Sequence, residues 1–180
     1  MTERRPTVSK PELTVGGTDV AFRHFIHDFL AFSALVSNIR SGFGEYLGIT
    51  GIAYTTLISI AHLQGESGIG VNSVAEHLHL SGAFITTEVA KLVKAGLVPK
   101  RINAQDKRRV LLTVTAAGRT LLNDLVAIQA PVNDALFDAL SAEEFVLLKR
   151  IMARLVPCGT RALALLAYLT EPQRERDAGA

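Results

Sequence analysis

The sequence holds a single cysteine, Cys158. One chain therefore cannot cross-link itself or build a cysteine-only metal site. A lone cysteine fits a reducing compartment and a core that holds without covalent staples. Long apolar runs are also missing. The longest, residues 162–169, is far short of the ~20 residues that span a bilayer. The charged start Met-Thr-Glu-Arg-Arg-Pro has no apolar segment behind it, so no secretory leader is expected. There is no glycine-rich phosphate loop, no G-x-S-x-G elbow and no paired catalytic carboxylate motif, which argues against an enzyme. Repeats and low-complexity tracts are lacking too. What is present, in 180 residues, is 48% hydrophobic and 20% charged. That composition excludes a disordered or collagen-like chain. It predicts a soluble cytoplasmic protein of one domain, or one compact module plus extra helices, with no membrane contact, no cofactor and no metal.

Net charge is only +2, but it is unevenly spread. Lys91, Lys94, Lys100, Arg101, Lys107, Arg108 and Arg109 lie close together with one acid, Asp106, among them. That surplus of six leaves the rest of the chain at −4. A concentrated basic segment on a mildly acidic body points to a polyanionic partner. A solvated basic face is the plainer reading.

Residues 1–17 read as a flexible N-terminal arm, interrupted by Pro6, Pro11, Gly16 and Gly17. From Thr18 the pattern becomes periodic. Phe22, Phe25, Ile26, Phe29, Val36, Ile39, Phe43, Tyr46 and Leu47 recur at three- and four-residue steps, an amphipathic helix of about seven turns over 18–47. Five of the eight phenylalanines lie in it. That many rings need a large partner surface, which a second copy of the chain could supply. Gly48 ends the helix and Thr50 caps the next, striped by Ile52, Ala53, Leu57, Ile60 and Ala61. A short helix over about 72–78 turns Val74, Ala75 and Leu78 inward, with Asn72 or Ser73 as its cap. Ser81 caps a further helix to about Ala95, with Ile85, Val89, Leu92 and Val93 inward and Gly96 as its stop. Residues 97–98 and 110–114 read as strands of a hairpin with a charged tip. Thr115 caps a long helix in which Pro131 is expected to make a kink. Ser141 and Glu144 form a capping box for a last helix to about Val156. Pro157 and Gly159 are expected to interrupt it before a short apolar helix to Leu169, and 171–180 to be a disordered tail.

Two short helices, a tight turn, a polar-faced helix and a basic hairpin spell a winged helix–turn–helix. The major groove of DNA is wide enough for one helix. Such a helix must bury one side on its scaffold and expose small polar residues on the other. Ile85, Val89 and Leu92 form the buried side. Ser81, Gly82, Ala83, Thr86, Thr87 and Lys91 form the open side. Phe84 either meets a thymine methyl or tucks against the scaffold, with the scaffold favoured. Thr86 and Thr87 suit phosphate or base edges, and Lys91 can reach phosphate. Asp106, Lys107, Arg108 and Arg109 put three cations at a turn that reaches an adjacent groove, where narrow A·T-rich sequence attracts arginine.

Residues 70–118 resemble the DNA-binding core of the MarR family of bacterial transcriptional regulators. The resemblance is carried by Val74-Ala75, then by Ser81-x-x-x-Ile85-Thr86-x-x-Val89-x-x-Leu92. It continues through Lys94-Ala-Gly96-Leu97-Val98 and Asp106-x-Arg108, and closes on Val114-Thr115-x-x-Gly118. Flanking helices extend it over about 18–155. It implies a mainly α (α+β) fold: a winged helix–turn–helix lobe over 48–115, with long N- and C-terminal dimerisation helices over 18–47 and 116–170. It implies a homodimer on a pseudo-palindromic duplex operator, Arg108 in the minor groove, and repression released by a small, often aromatic or acidic ligand. Gly82-Ala83-Phe84 replaces the Pro-Ser-Thr type of sequence often found there, and Thr87 stands where a basic residue is common, so the base preference is this chain's own. A ligand pocket is expected where the dimer helices meet the lobe, with Arg40, Tyr46, Tyr54 and His62 as candidate liners. Arg40 could pair a carboxylate bidentately.

Two other regulators of the same fold were weighed. His24, His27, His77 and His79 invite a metal-responsive one, but no zinc-type ligand spacing is present. Cys158 invites a redox-responsive one, but it lies near the C-terminus beside Pro157. A winged helix used only for protein contacts is a third alternative, and three adjacent cations in the wing argue against it.

Overall fold

The structure is a computed structural model that describes residues 5–102 and 110–177. The chain divides into two compact units, Met1–Gln129 and Ala130–Ala180.

The first unit opens with two 3-10 turns, Pro11–Leu13 and Val15–Gly17, ahead of helix α1, Val20–Tyr46. The expected loose arm is in fact fastened over its described part. The Thr7 amide and hydroxyl donate to Asp19 Oδ2 at 2.7 and 2.8 Å, and Arg23 pairs with Asp19 Oδ1 at 3.0 Å. Polar ties of this kind have no hydrophobic period and leave no pattern in a sequence. They hold the Asp19 carboxyl below the usual carboxylate range, the Thr7 bonds most and Arg23 less.

Only Phe43 and Gly44 are buried in α1. Phe25, Phe29, Leu30 and Leu35 stay exposed. At its end α1 meets helix α2, Gly51–Leu63, closely enough that a Cβ on Gly44 would stand 2.7 Å from the Gly51 amide nitrogen. A Cβ on Gly51 would stand 2.6 Å from Ser41 Cα. Two glycines thus set how near the helices come. Thr50 caps α2 as expected, its Oγ1 accepting from Ala53 N at 3.2 Å.

Helix α3, Val71–Leu78, and helix α4, Gly82–Lys94, complete the helix–turn–helix. Gly70, not Asn72 or Ser73, sits at the N-cap of α3. His79 makes the turn in the left-handed region at φ 52°, with the amides of His79 and Leu80 closing α3 onto Glu76 and Ala75. The Gly96 and Leu97 amides close α4 in the same way onto Val93 and Leu92. The core is Ala53, Leu57 and Ile60 of α2, Val74 and Ala75 of α3, Ile85, Val89 and Leu92 of α4, then Leu97, Val98, Leu112 and Val114.

Strand β1, Ile69–Gly70, strand β2, Lys100–Ile102, and strand β3, Val110–Leu112, form an antiparallel sheet in the order β1-β3-β2. Leu112 opposes both Ile69 and Lys100. The hairpin was expected to begin at 97–98. Leu97 and Val98 instead enter the core at 8% and 1% exposure, and the strand starts at Lys100. Two residues of β1 are too few to show a period. Helix α5, Ala116–Leu136, carries Pro131 inside it. Thr115 Oγ1 caps it by accepting from Gly118 N at 2.9 Å. A Cβ on Gly118 would meet Leu97 O at 2.7 Å, so α5 starts tight against the end of α4.

The second unit begins within α5 and is dominated by helix α6, Ala142–Asp177. Its capping box forms as expected: Ser141 N donates to Glu144 Oε2 at 2.8 Å and Glu144 N to Ser141 Oγ at 3.2 Å. These bonds hold the Glu144 carboxyl below its usual value. The interruption expected at Pro157 and Gly159 does not occur, and the helix runs past 171 to Asp177 instead of ending in a disordered tail. Proline costs a helix one hydrogen bond and its neighbours Val156, Cys158, Gly159 and Thr160 are weak helix formers, yet the helix continues across them. Phe145, Val146, Leu147, Leu155, Val156, Leu163, Leu165, Leu166 and Leu169 are all exposed. An 18-residue window within Ala142–Glu171 reaches a mean hydropathy of 1.2, long and apolar enough by composition to cross a membrane. Counting unbroken apolar runs misses it, because Arg150, Arg154 and Arg161 punctuate the helix.

Candidate nucleic-acid interface

Helix α4 separates two chemistries. Ile85, Val89 and Leu92 are fully buried, while Ser81, Ala83, Phe84, Thr86, Thr87 and Lys91 are exposed and Gly82 is half-buried. Ser81 Oγ accepts from Phe84 N at 3.2 Å, which fixes where the helix starts. Phe84 is 43% exposed, so the expectation that it tucks against the scaffold is corrected. Its place on the outward arc, next to the inward Ile85, turns the ring to solvent.

The threonine hydroxyls are already committed. Thr86 donates to Gly82 O at 2.8 Å and Thr87 to Ala83 O at 3.2 Å. A hydroxyl has one proton, so these oxygens present lone pairs outward. That suits base-edge amino groups, such as adenine N6 or cytosine N4, and not phosphate.

Lys91 is also engaged. Its Nζ donates to Glu88 Oε1 at 2.6 Å. Glu88 is 2% exposed, and its other oxygen, Oε2, is buried without a hydrogen-bond partner. Reading α4 by its period gave Glu88 no role. A carboxylate one step from a lysine looks like surface pairing until its burial is seen. Strand β2 presents Lys100 and Arg101, both exposed. Asp106, Lys107, Arg108 and Arg109 lie outside the described residues.

A cavity of about 550 Å³ lies between α1, α2 and the turn after α3. Ser33, Ser37, Arg40, Ser41 and Thr55 give it polar walls, and Leu78 and Leu80 close one side. Arg40 Nε donates to Thr55 Oγ1 at 3.0 Å, and its guanidinium lies 5.3 Å from the centre of the Tyr54 ring. Tyr54 is fully buried, meets Phe43 edge-on at 5.7 Å, and accepts from Gln129 Nε2 at 3.1 Å. Burial raises its pKa above the ordinary tyrosine value, with Arg40 opposing.

Of the four candidate liners, Arg40 lines the cavity and Tyr54 backs Arg40. Tyr46 and His62 do neither. Tyr46 sits on the last turn of α1 at 61% exposure. His62 lies two turns beyond Thr55, about 10 Å along α2, where its ring faces His77 at 6.4 Å. The hydroxyl lining was missed because serines scattered on a long helix carry no motif.

Among the described residues, no three His, Cys, Asp or Glu side chains group to hold a metal. Cys158 is exposed, donating to Arg154 O at 3.3 Å and accepting from Arg161 Nη2 at 3.1 Å.

No protein-family model matches the chain. One curated relative, the HTH-type transcriptional regulator SarZ of Staphylococcus haemolyticus (strain JCSC1435), is 28% identical over 87 residues. The match takes in 48% of this chain and 59% of that relative, so the chain spans little more than half the relative's length. Solved structures match more widely. The S. aureus MepR–DNA complex aligns with a TM-score of 0.63 at 22% identity, over 74% of this chain and 97% of that one. The transcriptional regulator SlyA gives 0.66 at 16% identity, over 77% and 95%. MarR gives 0.58 at 19%, over 76% and 98%. These neighbours are MarR-family regulators, and the chain has their winged-helix fold.

Proposed function

We propose that this chain is a sequence-specific, duplex-DNA-binding transcriptional regulator of the MarR type, working as a homodimer in the cytoplasm, and not an enzyme. The observation that carries the reading is α4. One side of it is fully buried in the core of the lobe, and the other offers a row of small and hydroxylic side chains to solvent, in a lobe that also exposes Lys100 and Arg101. That division suits a helix laid in a major groove. Residues 48–115 serve as the DNA-binding lobe, with Ser81, Gly82, Ala83, Phe84, Thr86 and Thr87 facing bases and Asp106, Lys107, Arg108 and Arg109 forming the wing. Residues 18–47 and 116–170 join two copies, so the operator is a pseudo-palindrome with half-sites about one helical turn apart.

The protein acts as a repressor that a small ligand releases. The cavity beside Arg40 supports this, since its guanidinium and hydroxyls suit an acidic or aromatic molecule. Its wall includes Leu78 and Leu80, which flank the turn into α4, so occupancy there would bear on the recognition helix.

The test selects duplexes from a randomised pool and titrates the best one with the protein and with Arg108→Ala. The substitution should weaken binding by ~1–3 kcal/mol, as loss of a good groove contact does, and more on A·T-rich flanks. A protein that retains no duplex over the pool background would overturn the reading. Equal binding by Arg108→Ala would remove the wing from it.

A further inference from the structure

The ion pair on the recognition helix carries a consequence for how strongly that helix holds DNA of any sequence. Lys91 and Lys94 are the only cations in α4. Lys91 Nζ donates to Glu88 Oε1 at 2.6 Å, and the Glu88 side chain is 3% exposed while that of Lys91 is 54% exposed. Glu88 Oε2 has no hydrogen-bond partner. Among the described residues, Lys91 is therefore the one group that answers this carboxylate. The ammonium keeps two further N–H donors, but a phosphate that pulled it off Oε1 would leave Glu88 buried with neither oxygen satisfied, which is costly for a charged group.

We propose that Glu88 withholds Lys91 from the phosphate backbone, so that it sets the specificity of the recognition helix by lowering its affinity for DNA of any sequence. The inference rests on the DNA-binding reading above. Phosphate contacts add affinity that no base sequence modulates, whereas discrimination comes from base edges. A helix whose central lysine is held by its own carboxylate presents Thr86 and Thr87 to the bases without that uniform attraction. Lys91, which the sequence places among the phosphate contacts, is here a restrained cation. The ratio of specific to non-specific binding gains from the restraint.

The experiment measures binding to a random-sequence duplex, and to the best duplex from the pool, across a series of salt concentrations. The proteins are the parent, Glu88→Gln, and the double variant that adds Lys91→Met to it. Glu88→Gln keeps the shape and removes the charge. It should bind the random duplex more tightly, roughly fivefold per protomer at physiological salt, with a salt slope steeper by about 0.9 per protomer. Lys91→Met alone would bare the Glu88 charge on the helix, so the lysine is removed in the Glu88→Gln background. That double variant should return to the parent slope, because the released charge is then absent.

A double variant with a slope flatter than the parent's would mean the lysine already sits on phosphate, and would overturn the proposal. So would a Glu88→Gln protein with the parent slope. Circular dichroism establishes that each variant is folded, and the double variant decides the matter alone if Glu88→Gln is not. A parent that binds neither duplex defeats the DNA-binding reading; a parent that binds while the double variant has a flatter slope defeats only this inference.

Discussion

The winged-helix lobe and the long helix α6 use similar residues to opposite ends. In the lobe, Leu57, Ile60, Ile85, Leu92 and Leu112 are at 0% exposure. In α6, Leu163, Leu165 and Leu166 are at 64%, 56% and 58%. Helix α1 resembles α6 in this respect, with Phe25 54% exposed and only two buried positions. The lobe closes its core within one chain. The long helices carry apolar surface that their own chain leaves open, and exposed apolar area on this scale marks an interface. The lesson is that equal hydrophobicity closes a core in one region and stays on the surface in the other, where the proposed dimer would use it.

The sharpest way to break this contrast is to charge the open faces. Phe29→Glu together with Leu166→Glu should abolish the proposed dimer outright, seen as a fall to the 19.4 kDa chain mass by light scattering. A dimer that persists would mean these faces are not what joins the copies.

Within the lobe the effect should be large but of another kind. Leu57→Ala deletes a fully buried side chain and should cost ~2–5 kcal/mol of stability. Chemical denaturation followed by circular dichroism checks it. A loss under ~1 kcal/mol would mean the lobe core yields to fill the gap, contrary to a close-packed interior.

The smallest effect concerns the arm. The Asp19 carboxyl is held below its ordinary value by Thr7. A carboxylate with a lowered folded-state pKa contributes stability that is present above its unfolded value, near 3.9, and lost as pH falls through the folded value. Thr7→Val removes only the hydroxyl bond and should narrow the difference in melting temperature between neutral and acidic solution. An unchanged acid profile would show that the Thr7 amide and Arg23 suffice.

The legible parts of the sequence were those with a period or a punctuation mark. Val74, Ala75, Ile85, Val89 and Leu92 are the inward residues that the three- and four-residue steps indicate. Thr50, Ser81, Thr115 and Ser141 all act as caps, since a hydroxyl before an apolar run has a local job. What escaped was set by distant partners. The strand expected at Leu97 moved because the core claimed that side chain. Glu88 reads as surface until α4 is packed. Arg40 was found because a guanidinium on an apolar helix is conspicuous, but its hydroxyl neighbours Ser33, Ser37 and Thr55 converge only once α1 crosses α2.

The packing around Tyr54 also has an optical consequence. The chain has three tyrosines and no tryptophan. Tyr46 and Tyr168 stand on the surface of the chain, at 61% and 71% exposure. Tyr54 alone is enclosed, with a guanidinium over its ring and an amide on its oxygen. Its chromophore sits behind the cavity wall formed by Arg40, so a molecule that displaces that guanidinium changes the surroundings of the one buried tyrosine, and the near-ultraviolet circular dichroism of the unlabelled chain can gauge whether the cavity is filled.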